Sequence, residues 1–497
     1  MGLSPFPEAA REIDPDTPFR ILICGDFSGR ANRGVRQIGR ELAARKPVLV
    51  DRDNFDEVMI HHGVKLENLL TGSDGHPVAL GVRELDDFHP DRLFEKVALF
   101  ESLRSLRRRL LNRATFDQAA EEVRGWAADS PQTNEPSPPA AAVAASASEN
   151  VPGNVLERLF AETGLVARET RTDWNRFIQE TVAKYAVRGA DPQQEQLVAC
   201  VDAAVSHALR AILHHPEFQR IEAAWRGLSL LIRRLETDAS LQLHLLDVSK
   251  EELAADLAGD DLATSGLYKI LVEKTVGTPG AKPWAAIVGD YVFGSQSPDL
   301  NLLSRLAQLV AAAGSPLLAA AHGSVAGCPN PRETPELDDW QDPAGSAWQT
   351  LRQLPASRYV SLVWPRFLLR APYGAQTSPT NSIKFEEFSG ESSHEHLLWG
   401  NGAFLEALVL GEAFVESGWG LDPDTDREIS GLPWFAAPDS RGDNEMHPCG
   451  ELWLRTSGAE RLESVGLTPL YSVLGVDAVR LGGIVSLPGK ALSGRWG

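Results

Sequence analysis

The chain has 497 residues, 43% of them hydrophobic, which is too many for one ordinary domain and enough for substantial cores. Its formal net charge of −20 repels phosphate backbones and anionic lipids, so neither nucleic-acid binding nor membrane binding is expected. Glycine (42) and proline (32) occur in globular proportions, which excludes a fibrous or wholly disordered chain.

The N-terminus and the cysteines indicate a cytoplasmic location. The first residues have no long apolar core and carry several acidic side chains, so no signal peptide is expected. No stretch of about 18 apolar residues occurs, and no membrane span is expected. Cys24, Cys200, Cys328 and Cys449 are far apart in the sequence and are predicted to be buried free thiols, as in a reducing compartment.

Residues 1–126 are predicted to form an α/β domain. Three apolar runs, Phe19–Cys24, Pro47–Val50 and Val78–Val82, are typical of strands. Acidic residues before Pro90 predict a helix start at that proline. An apolar stripe at steps of three and four then predicts one continuous helical face. The stripe consists of Leu93, Val97, Phe100, Leu103, Leu106 and Leu110.

Residues 127–153 are rich in alanine, proline and serine and contain no lysine, arginine or aromatic residue. Such a segment cannot bury enough apolar surface to offset its chain entropy, so it is predicted to be a flexible, disordered linker. It separates the domain at 1–126 from a second domain at 154–497.

The second domain alternates helical and strand patterns, which predicts an α/β fold of mixed sheets flanked by helices. Helical faces are predicted for Val201–Ile212 and Phe218–Ile232, with a break at His214-His215-Pro216. Four strands are predicted, at Leu241–Leu245, Ala285–Gly289, Leu317–Ala321 and Tyr359–Val363.

Catalysis is not expected. The sequence contains neither the phosphate-binding GxxxxGK[ST] motif nor the GxSxG motif of a nucleophile elbow. In Gly25-Asp26-Phe27-Ser28-Gly29 the serine stands one place late for such an elbow, and a tight turn after a strand is the better interpretation.

No metal or cofactor is expected either. His394 and His396 can face one way on a strand, but no third ligand stands nearby in the sequence. Asp51, Asp53 and Asp56 resemble a calcium loop, yet the loop's glycine and terminal glutamate are missing. Turn and helix-cap chemistry explains this acidic cluster better.

Two further features have two interpretations each. The arginines between Arg104 and Arg109 either contact an acidic partner or form the solvated face of a helix, which is the preferred interpretation; they are Arg104, Arg107, Arg108 and Arg109. Several tryptophans in apolar surroundings either stack on a sugar or base, or pack in cores and subunit interfaces, which is preferred. They are Trp174, Trp225, Trp284, Trp364, Trp399 and Trp419.

Three motifs in the first domain resemble the small subunit of the type VI secretion contractile sheath (TssB, VipA). They lie at Pro18–Arg30, Arg45–Asp56 and Leu85–Pro90. The residues taken from these motifs as structural or interface residues are Gly25, Asp26, Phe27, Asp51, Asp53 and Phe55.

Motifs in the second domain, over roughly residues 155–485, resemble the large sheath subunit (TssC, VipB). They include Ile212–Leu228, Arg370–Gly374, Phe385–Phe388, Leu398–Asn401 and Cys449–Glu451. The structural or interface residues taken from them are Phe218, Glu222, Trp225, Arg226, Gly227, Pro372, Tyr373, Gly374, Trp399, Gly400 and Asn401.

The resemblance implies a mixed α/β fold related to phage tail sheaths. It implies a sheath that surrounds an inner tube and contracts to drive that tube outward, with no covalent chemistry in the sheath itself. The implied partners are other sheath subunits, inner tube and baseplate proteins, and the ClpV ATPase.

The resemblance also has departures. The small subunit of the family has a further strand-forming segment before its Gly-Asp-Phe motif, and the large subunit continues well beyond the motif at Pro469-Leu470. Such segments interlock neighbours by strand exchange. Two functions therefore remain open, a fused subunit that polymerises, and a non-polymerising paralogue that acts as cap, baseplate adaptor or assembly regulator. The two halves can pack within one molecule or be swapped between molecules.

Overall fold

A computed structural model gives the fold of residues 14–69, 79–129, 194–328, 331, 337–341, 345–388, 394–423, 427–438, 444–473 and 475–496. Its strands are β1 (Phe19–Gly25), β2 (Val48–Val50), β3 (Lys65–Leu66), β4 (Leu80–Gly81), β5 (Leu241–Asp247), β6 (Ala286–Phe293), β7 (Leu317–Ala321), β8 (Val360–Trp364), β9 (Phe367–Leu368), β10 (Trp399–Gly400), β11 (Arg427–Ile429), β12 (Phe435–Pro438), β13 (Asn444–His447), β14 (Thr468–Ser472) and β15 (Val479–Leu481).

The α-helices are α1 (Arg40–Ala44), α2 (Phe55–His62), α3 (Pro90–Lys96), α4 (Glu101–Leu111), α5 (Phe116–Asp129), α6 (Gln194–Leu213), α7 (Pro216–Arg234), α8 (Lys250–Asp256), α9 (Gly266–Tyr268), α10 (Ser297–Ala313), α11 (Gly323–Ala326), α12 (Ser346–Arg352), α13 (Ala403–Ser417) and α14 (Thr456–Ser464). A π-helical turn, Lys269–Glu273, follows α9 directly.

Nine strands form one sheet in the order β11-β15-β14-β8-β7-β6-β1-β5-β2. The six strands from β14 to β5 run parallel, and antiparallel strands complete both edges. β7 and β8 are buried at every position, as expected for parallel strands that are covered on both faces. The predicted α/β class, with a mixed sheet flanked by helices, is confirmed.

The first strand of the described residues, β1, lies inside this sheet, as the seventh of its nine strands. β1 pairs in parallel with β5 on one side, where Phe19 is opposite Leu241, and with β6 on the other, where Ile21 is opposite Ala286. The strand predicted at Phe19–Cys24 is therefore present. The sheet that it joins consists mainly of strands from the second half of the sequence.

The other predicted elements match closely, with one exception. The strands predicted from Leu241, Ala285, Leu317 and Tyr359 appear as β5, β6, β7 and β8, and the two helical faces appear as α6 and α7. The apolar stripe from Leu93 to Leu110 is buried, but its helix is not continuous. Val97 has an extended backbone (φ −77°, ψ 124°) and a 3-10 turn at Ala98–Phe100 separates α3 from α4, so an unbroken stripe does not require an unbroken helix.

The chain forms two compact units. Of the described residues, the larger contains those within 14–69, 79–97 and 208–496, and the smaller contains those within 98–129 and 194–207. In the smaller unit, Arg107 Nε donates to Asp202 Oδ1 at 2.6 Å, and Arg109 pairs with Glu122. Arg107 and Arg109 thus have carboxylate partners within the chain, whereas Arg108 is exposed.

The predicted linker falls almost entirely outside the described residues. Residues 127–129 form the end of α5, and 130–153 are not described. Trp174 also lies outside the described residues, and the division at 126 and 153 stays a prediction. Of the described residues, α6 alone is long and apolar enough to cross a membrane, yet about half of that stretch is buried, and Asp202 in it is paired with Arg107, as in a core helix.

All four cysteines are buried and free, as predicted. Burial raises the pKa of the Cys24 thiol to about 12, so this thiol is protonated and unreactive at neutral pH.

Candidate functional site at the seam between the two regions

The motif residues of the two regions meet around β1. We call the seam the set of contacts that residues 17–69 and 79–91 make with residues 217–496. Both sides of the seam belong to the larger compact unit. Its two ends, at the carboxyl and amino ends of β1, have different chemistry, and a third part lies beside α7.

At the carboxyl end of β1, the chain turns within a set of hydrogen bonds to carboxylates. Asp247, the last residue of β5, accepts hydrogen bonds from the backbone N–H groups of Phe27 (2.8 Å) and Ser28 (3.1 Å) and from the Ser28 hydroxyl (2.7 Å). Asp26 accepts from the backbone of Arg30 and from the Arg220 guanidinium at 2.8 Å. The Gly-Asp-Phe-Ser turn of one region is therefore fixed by side chains of the other.

Glu252 is the centre of the charged part of the seam. Its side chain is fully buried and accepts from Arg30 Nε at 3.0 Å and from Arg45 Nη2 at 2.5 Å. It also forms a capping box with Ser249 at the start of α8. Burial raises the pKa of Glu252, but hydrogen bonds from Arg45 and Arg30 outweigh burial and lower it to about 2. The carboxylate therefore stays ionised and paired through the physiological range.

Trp225 joins the two regions through its ring and its N–H group. The indole is fully buried and donates to the Phe27 carbonyl at 2.8 Å. Phe27 and Phe55 contact it edge-on, with ring centroids 5.2 and 5.7 Å away. Next to it, a Cβ at Gly227 would lie 2.5 Å from the Phe404 ring, so α7 and α13 approach closely only because this position is glycine.

The crevice beside the end of β1 is filled by the protein's own side chains. Open α/β sheets bind ligands outside the carboxyl ends of the strands where the strand order reverses, which is here between β1 and β6. A Cβ at Gly25 would lie 2.8 Å from Phe27 and 3.0 Å from Asp290. Asn401 closes the same edge by donating to the carbonyls of Gly289 and Tyr291, both at 3.3 Å.

Beside α7, a buried network holds the Arg-Ala-Pro-Tyr-Gly loop. Arg370 donates to Glu222 at 2.9 Å and to both oxygens of Glu387 at 2.7 and 3.1 Å. Arg226 donates to Glu222 at 2.8 Å and to the Tyr373 hydroxyl at 3.1 Å. Burial raises the pKa of Glu387, but the Arg370 charge and hydrogen bonds lower it to about 2.

The Leu-Asp-Asp-Phe-His-Pro motif of the first region packs against this network. Phe88 contacts Phe218 edge-on at 5.5 Å, and the rings of His89 and Tyr373 are 4.9 Å apart. The carboxylate of Asp91 accepts from the backbone N–H groups of residues 381 and 382, each at 2.9 Å. The motif therefore positions a loop of the second region through rings and backbone groups.

The amino end of β1 is aromatic. Phe19, the first residue of β1, stacks on Phe414 with centroids 4.6 Å apart and lies 5.2 Å from Trp419 and 6.3 Å from Trp496. Trp419 donates to the Thr17 carbonyl at 2.8 Å. Trp496 is 5% exposed, so the last described residue of the chain is part of the core.

The remaining motif residues lie outside these three contacts. Asp51 accepts from the backbone N–H groups of Asp53 and Asn54, each at 3.0 Å, which is a turn that leads into α2. Asp53 is exposed. Trp399 and Gly400 form β10, Pro372 is buried, and Gly374 lies against Glu386. That these are structural or interface residues of the assembled protein stays a prediction.

The histidine pair does not come together as a ligand pair. His394 bonds to the Glu451 carboxylate at 2.9 Å, whereas the His396 ring stacks on His214 at 4.1 Å. In the described part of the chain, no group of three or more His, Cys, Asp or Glu side chains is arranged to hold a metal ion.

One further buried carboxyl group, outside the seam, forms no ion pair with any of the described residues. Glu406 on α13 is fully buried and accepts from the Ser361 hydroxyl at 2.5 Å. Its other oxygen has no hydrogen-bond partner among the described residues. Burial raises the pKa of Glu406 to about 8, although hydrogen bonds from Ser361 and Thr468 oppose the shift. The group is therefore neutral at pH 7.

Two protein families match the chain over the regions that meet at the seam. Residues 195–487 match VipB, described as EvpB/VC_A0108, tail sheath N-terminal domain. The chain belongs to this family. Residues 9–123 match the family described as type VI secretion system, VipA, VC_A0107 or Hcp2. The resemblance of the two regions to the small and large sheath subunits is confirmed.

The sequence of a type VI sheath protein is also similar to this chain. The type VI secretion system sheath protein TssC1 of Pseudomonas aeruginosa is 33% identical over 307 residues. The match covers 59% of this chain and 61% of that relative, so the chain spans about three fifths of the relative's length.

Several residues of the seam were not identified from the sequence. Asp247 and Glu252 lie in none of the motifs named above, and Arg220 and Glu387 lie within such motifs but were not singled out, because isolated charged residues in amphipathic segments look solvent-exposed. One signal was available for Glu252. Ser249 stands three residues before it, in the pattern of a capping box, which marks a helix start and its glutamate.

Proposed function

We propose that this chain is a structural subunit of a type VI secretion contractile sheath in which small-subunit and large-subunit regions are fused. It assembles with other sheath subunits in the cytoplasm around an inner tube, and contraction of the assembly propels that tube. It carries out no catalysis.

The observation that supports this proposal is the place of β1. The VipA-like region supplies the strand between β5 and β6, and both of those strands belong to the VipB-like region. Without β1, β5 and β2 would lose their hydrogen-bonded connection to the rest of the sheet. A single chain also fixes the ratio of the two regions at one to one and keeps their effective concentration high.

The filled crevice at the end of β1 further supports a structural role. The position at which an α/β enzyme would bind a ligand contains Phe27, Asp26 and Asn401, each held by neighbours within the fold. The proposed partners are other sheath subunits, inner tube and baseplate proteins, and the ClpV ATPase. Neither nucleic acid nor a membrane is proposed as a partner.

Negative-stain electron microscopy of the purified protein tests the proposal. Helical tubes are expected, either from the chain alone or after addition of separate small and large sheath subunits. Monomers or small closed oligomers under all of these conditions would contradict it. A stoichiometric complex with one secretion component, and no tubes, would instead support the non-polymerising cap, adaptor or regulator.

A cleavable variant tests whether the two regions stay together when the covalent connection between them is cut. A protease site is inserted between residues 140 and 145, and the chain is cut after purification. Because β1 is held by sheet hydrogen bonds and by both ends of the seam, the two fragments are expected to co-elute and to give the same assemblies as the uncut chain. Separation of the fragments on cutting would contradict a seam that holds without the tether.

A further inference from the structure

A groove on the larger unit lies away from the seam contacts described above. It is bounded by α2, the β3–β4 pair and the end of α3, and it encloses about 810 Å³. Its lining residues come from the first region only, and of them only Asp87 belongs to a motif named above. The groove therefore has no role in joining the two regions.

The groove includes the β3–β4 pair, and no other described strand pairs with the outer edge of β4. In the β3–β4 pair, Lys65 is opposite Gly81, and Val82 N–H donates to the Val64 carbonyl at 3.1 Å. In this register the backbone N–H and C=O of Gly81 point away from β3. A Cβ at Gly81 would meet only the Val64 carbonyl, at 4.0 Å, so space remains above the strand. An added extended segment can pair at this edge.

The rim of the groove is basic, although the chain as a whole is acidic. Its lining contains three cationic side chains, Lys65, Arg83 and Lys96, and one carboxylate, Asp87. Asp87 accepts from the Arg83 backbone N–H at 2.9 Å and pairs with Lys96, so these two charges offset each other and the positive charge of the rim comes from Lys65 and Arg83. Lys65 pairs with Glu67 at 2.6 Å, but both side chains are on the surface, where such a pair contributes little.

An apolar residue stands beside these cations. Ile60 on α2 is 58% exposed and lines the groove together with Val64 and Val82, which are buried. An isoleucine at this exposure, next to an open strand edge, gives an apolar side chain of a partner a surface to cover.

We propose that this groove binds an acidic peptide segment of a partner protein, in an extended conformation, with one apolar side chain between carboxylates. The carboxylates meet Lys65 and Arg83, the apolar side chain covers Ile60, and the peptide backbone pairs with Gly81. Charge complementarity selects this occupant, since a basic groove in a chain of net charge −20 is a local exception. The inference does not depend on tube formation.

Fluorescence anisotropy with the full chain tests this proposal. The probe is a short fluorescein-labelled peptide that has one leucine flanked on both sides by aspartate and glutamate, in about 0.15 M salt. Matched probes replace the leucine by glycine, or the acidic residues by their amides. Binding of the first probe, and a loss of about tenfold or more with each matched probe, is expected.

Variants of the groove locate the binding site. Arg83→Glu reverses a charge of the rim, and Ile60→Asp removes the apolar contact. Gly81→Val fills the space above the strand. Each variant is expected to weaken binding of the probe about tenfold or more. Gly81→Val creates no close contact, so the fold is expected to survive, which an unchanged melting temperature checks. Arg92→Glu and Val415→Asp are the controls, because both side chains are exposed elsewhere, and both should bind like the wild type.

Four results would overturn the proposal. The first is an absence of binding to the leucine-containing acidic probe. The second is equal binding of all probes, which indicates an unspecific surface. The third is equal binding of the probe by the groove variants and by the controls. The fourth is self-association of the wild type, in a way that Arg83→Glu abolishes and the probe does not inhibit. That result would identify a second copy of this chain as the occupant and would overturn the proposal of an acidic peptide.

Discussion

The two ends of β1 are held by different kinds of contact. At its carboxyl end, Asp247 and Glu252 bind backbone N–H groups and the guanidinium groups of Arg30 and Arg45. At its amino end, Phe19 packs among three aromatic rings that come from distant parts of the second region. One strand is thus fixed by a charged cluster at one end and by an aromatic cluster at the other.

The two kinds of contact differ in what they contribute to the stability of the fold. Buried ion pairs give little net stability but are costly to break, because removing one partner leaves an unpaired buried charge. They also respond to pH. Aromatic packing contributes buried area and is independent of pH. The charged end therefore specifies the position and register of the turn, and the aromatic end supplies stability under all conditions.

The largest expected effect is that of breaking the charged end. Glu252→Ala leaves Arg30 and Arg45 without their shared carboxylate and should lower the free energy of unfolding by about 4 kcal/mol. Chemical denaturation followed by circular dichroism measures this. Glu251→Ala, at the exposed neighbouring position, should change stability by less than about 0.5 kcal/mol. Equal effects of the two variants would mean that the charged cluster does not hold the strand.

The second effect is a loss of stability in acid. The pKa of Glu252 is about 2 in the folded chain, below its ordinary value of 4.5. Its contribution to the free energy of unfolding is therefore complete above pH 4.5. This contribution, about 3 kcal/mol in total, is lost as the pH falls towards 2. Unfolding measured between these pH values should show a shallower pH dependence for Glu252→Gln than for the wild type. The same pH dependence of unfolding for the variant and the wild type would contradict a lowered pKa of Glu252.

The third effect comes from the aromatic end. Trp496→Ala removes a buried ring that packs on Phe19 and should cost about 3 kcal/mol. The loss should be the same at pH 7 and pH 4, in contrast to that of the charged end. Trp434→Ala is the matched control, since Trp434 is 50% exposed, and it should be nearly neutral. A neutral Trp496→Ala would show that the end of the chain does not support β1.

The smallest change, measured over the single pH unit from 6 to 7, is expected for Glu406, a buried carboxyl group with no cationic partner among the described residues. Its pKa of about 8 lies above the ordinary 4.5, so its contribution is complete below pH 4.5 and is lost as the pH rises towards 8. Between pH 6 and 7 the slope is about 1.4 kcal/mol per pH unit. The difference in stability between Glu406→Gln and the wild type should therefore shift in favour of the variant as the pH rises. A constant difference would show that Glu406 is already ionised.

Much of the local structure can be predicted from the sequence, because the spacing of apolar residues and the local composition determine helices and strands. The fully apolar run at Leu317–Ala321 reads as a buried strand, and the break at His214-His215-Pro216 separates two helices as expected. The break at Val97 was missed. A continuous apolar stripe constrains which side chains are buried and leaves the backbone between them free to change its path.

The seam could not be derived from the sequence in the same way. Its motif residues were named, but nothing in the local pattern of Phe19–Cys24 says that its neighbours start at Leu241 and Ala286. Strand pairing over such distances depends on the whole fold. Glu406 illustrates the same limit, because a glutamate within an apolar helix gives no sign of whether it is paired, neutral or exposed.

The central place of β1 has a consequence for synthesis of the protein on the ribosome. Phe19 pairs with Leu241 and Ile21 with Ala286, so the strand emerges early and both of its neighbours emerge late. At about 5 to 20 residues per second, it waits on the order of 10 seconds or longer for them. During that interval an apolar strand with two unpaired edges is exposed to other nascent chains. Translation speed and chaperone access should therefore affect the yield of this protein more than that of a protein whose first strand pairs with its second.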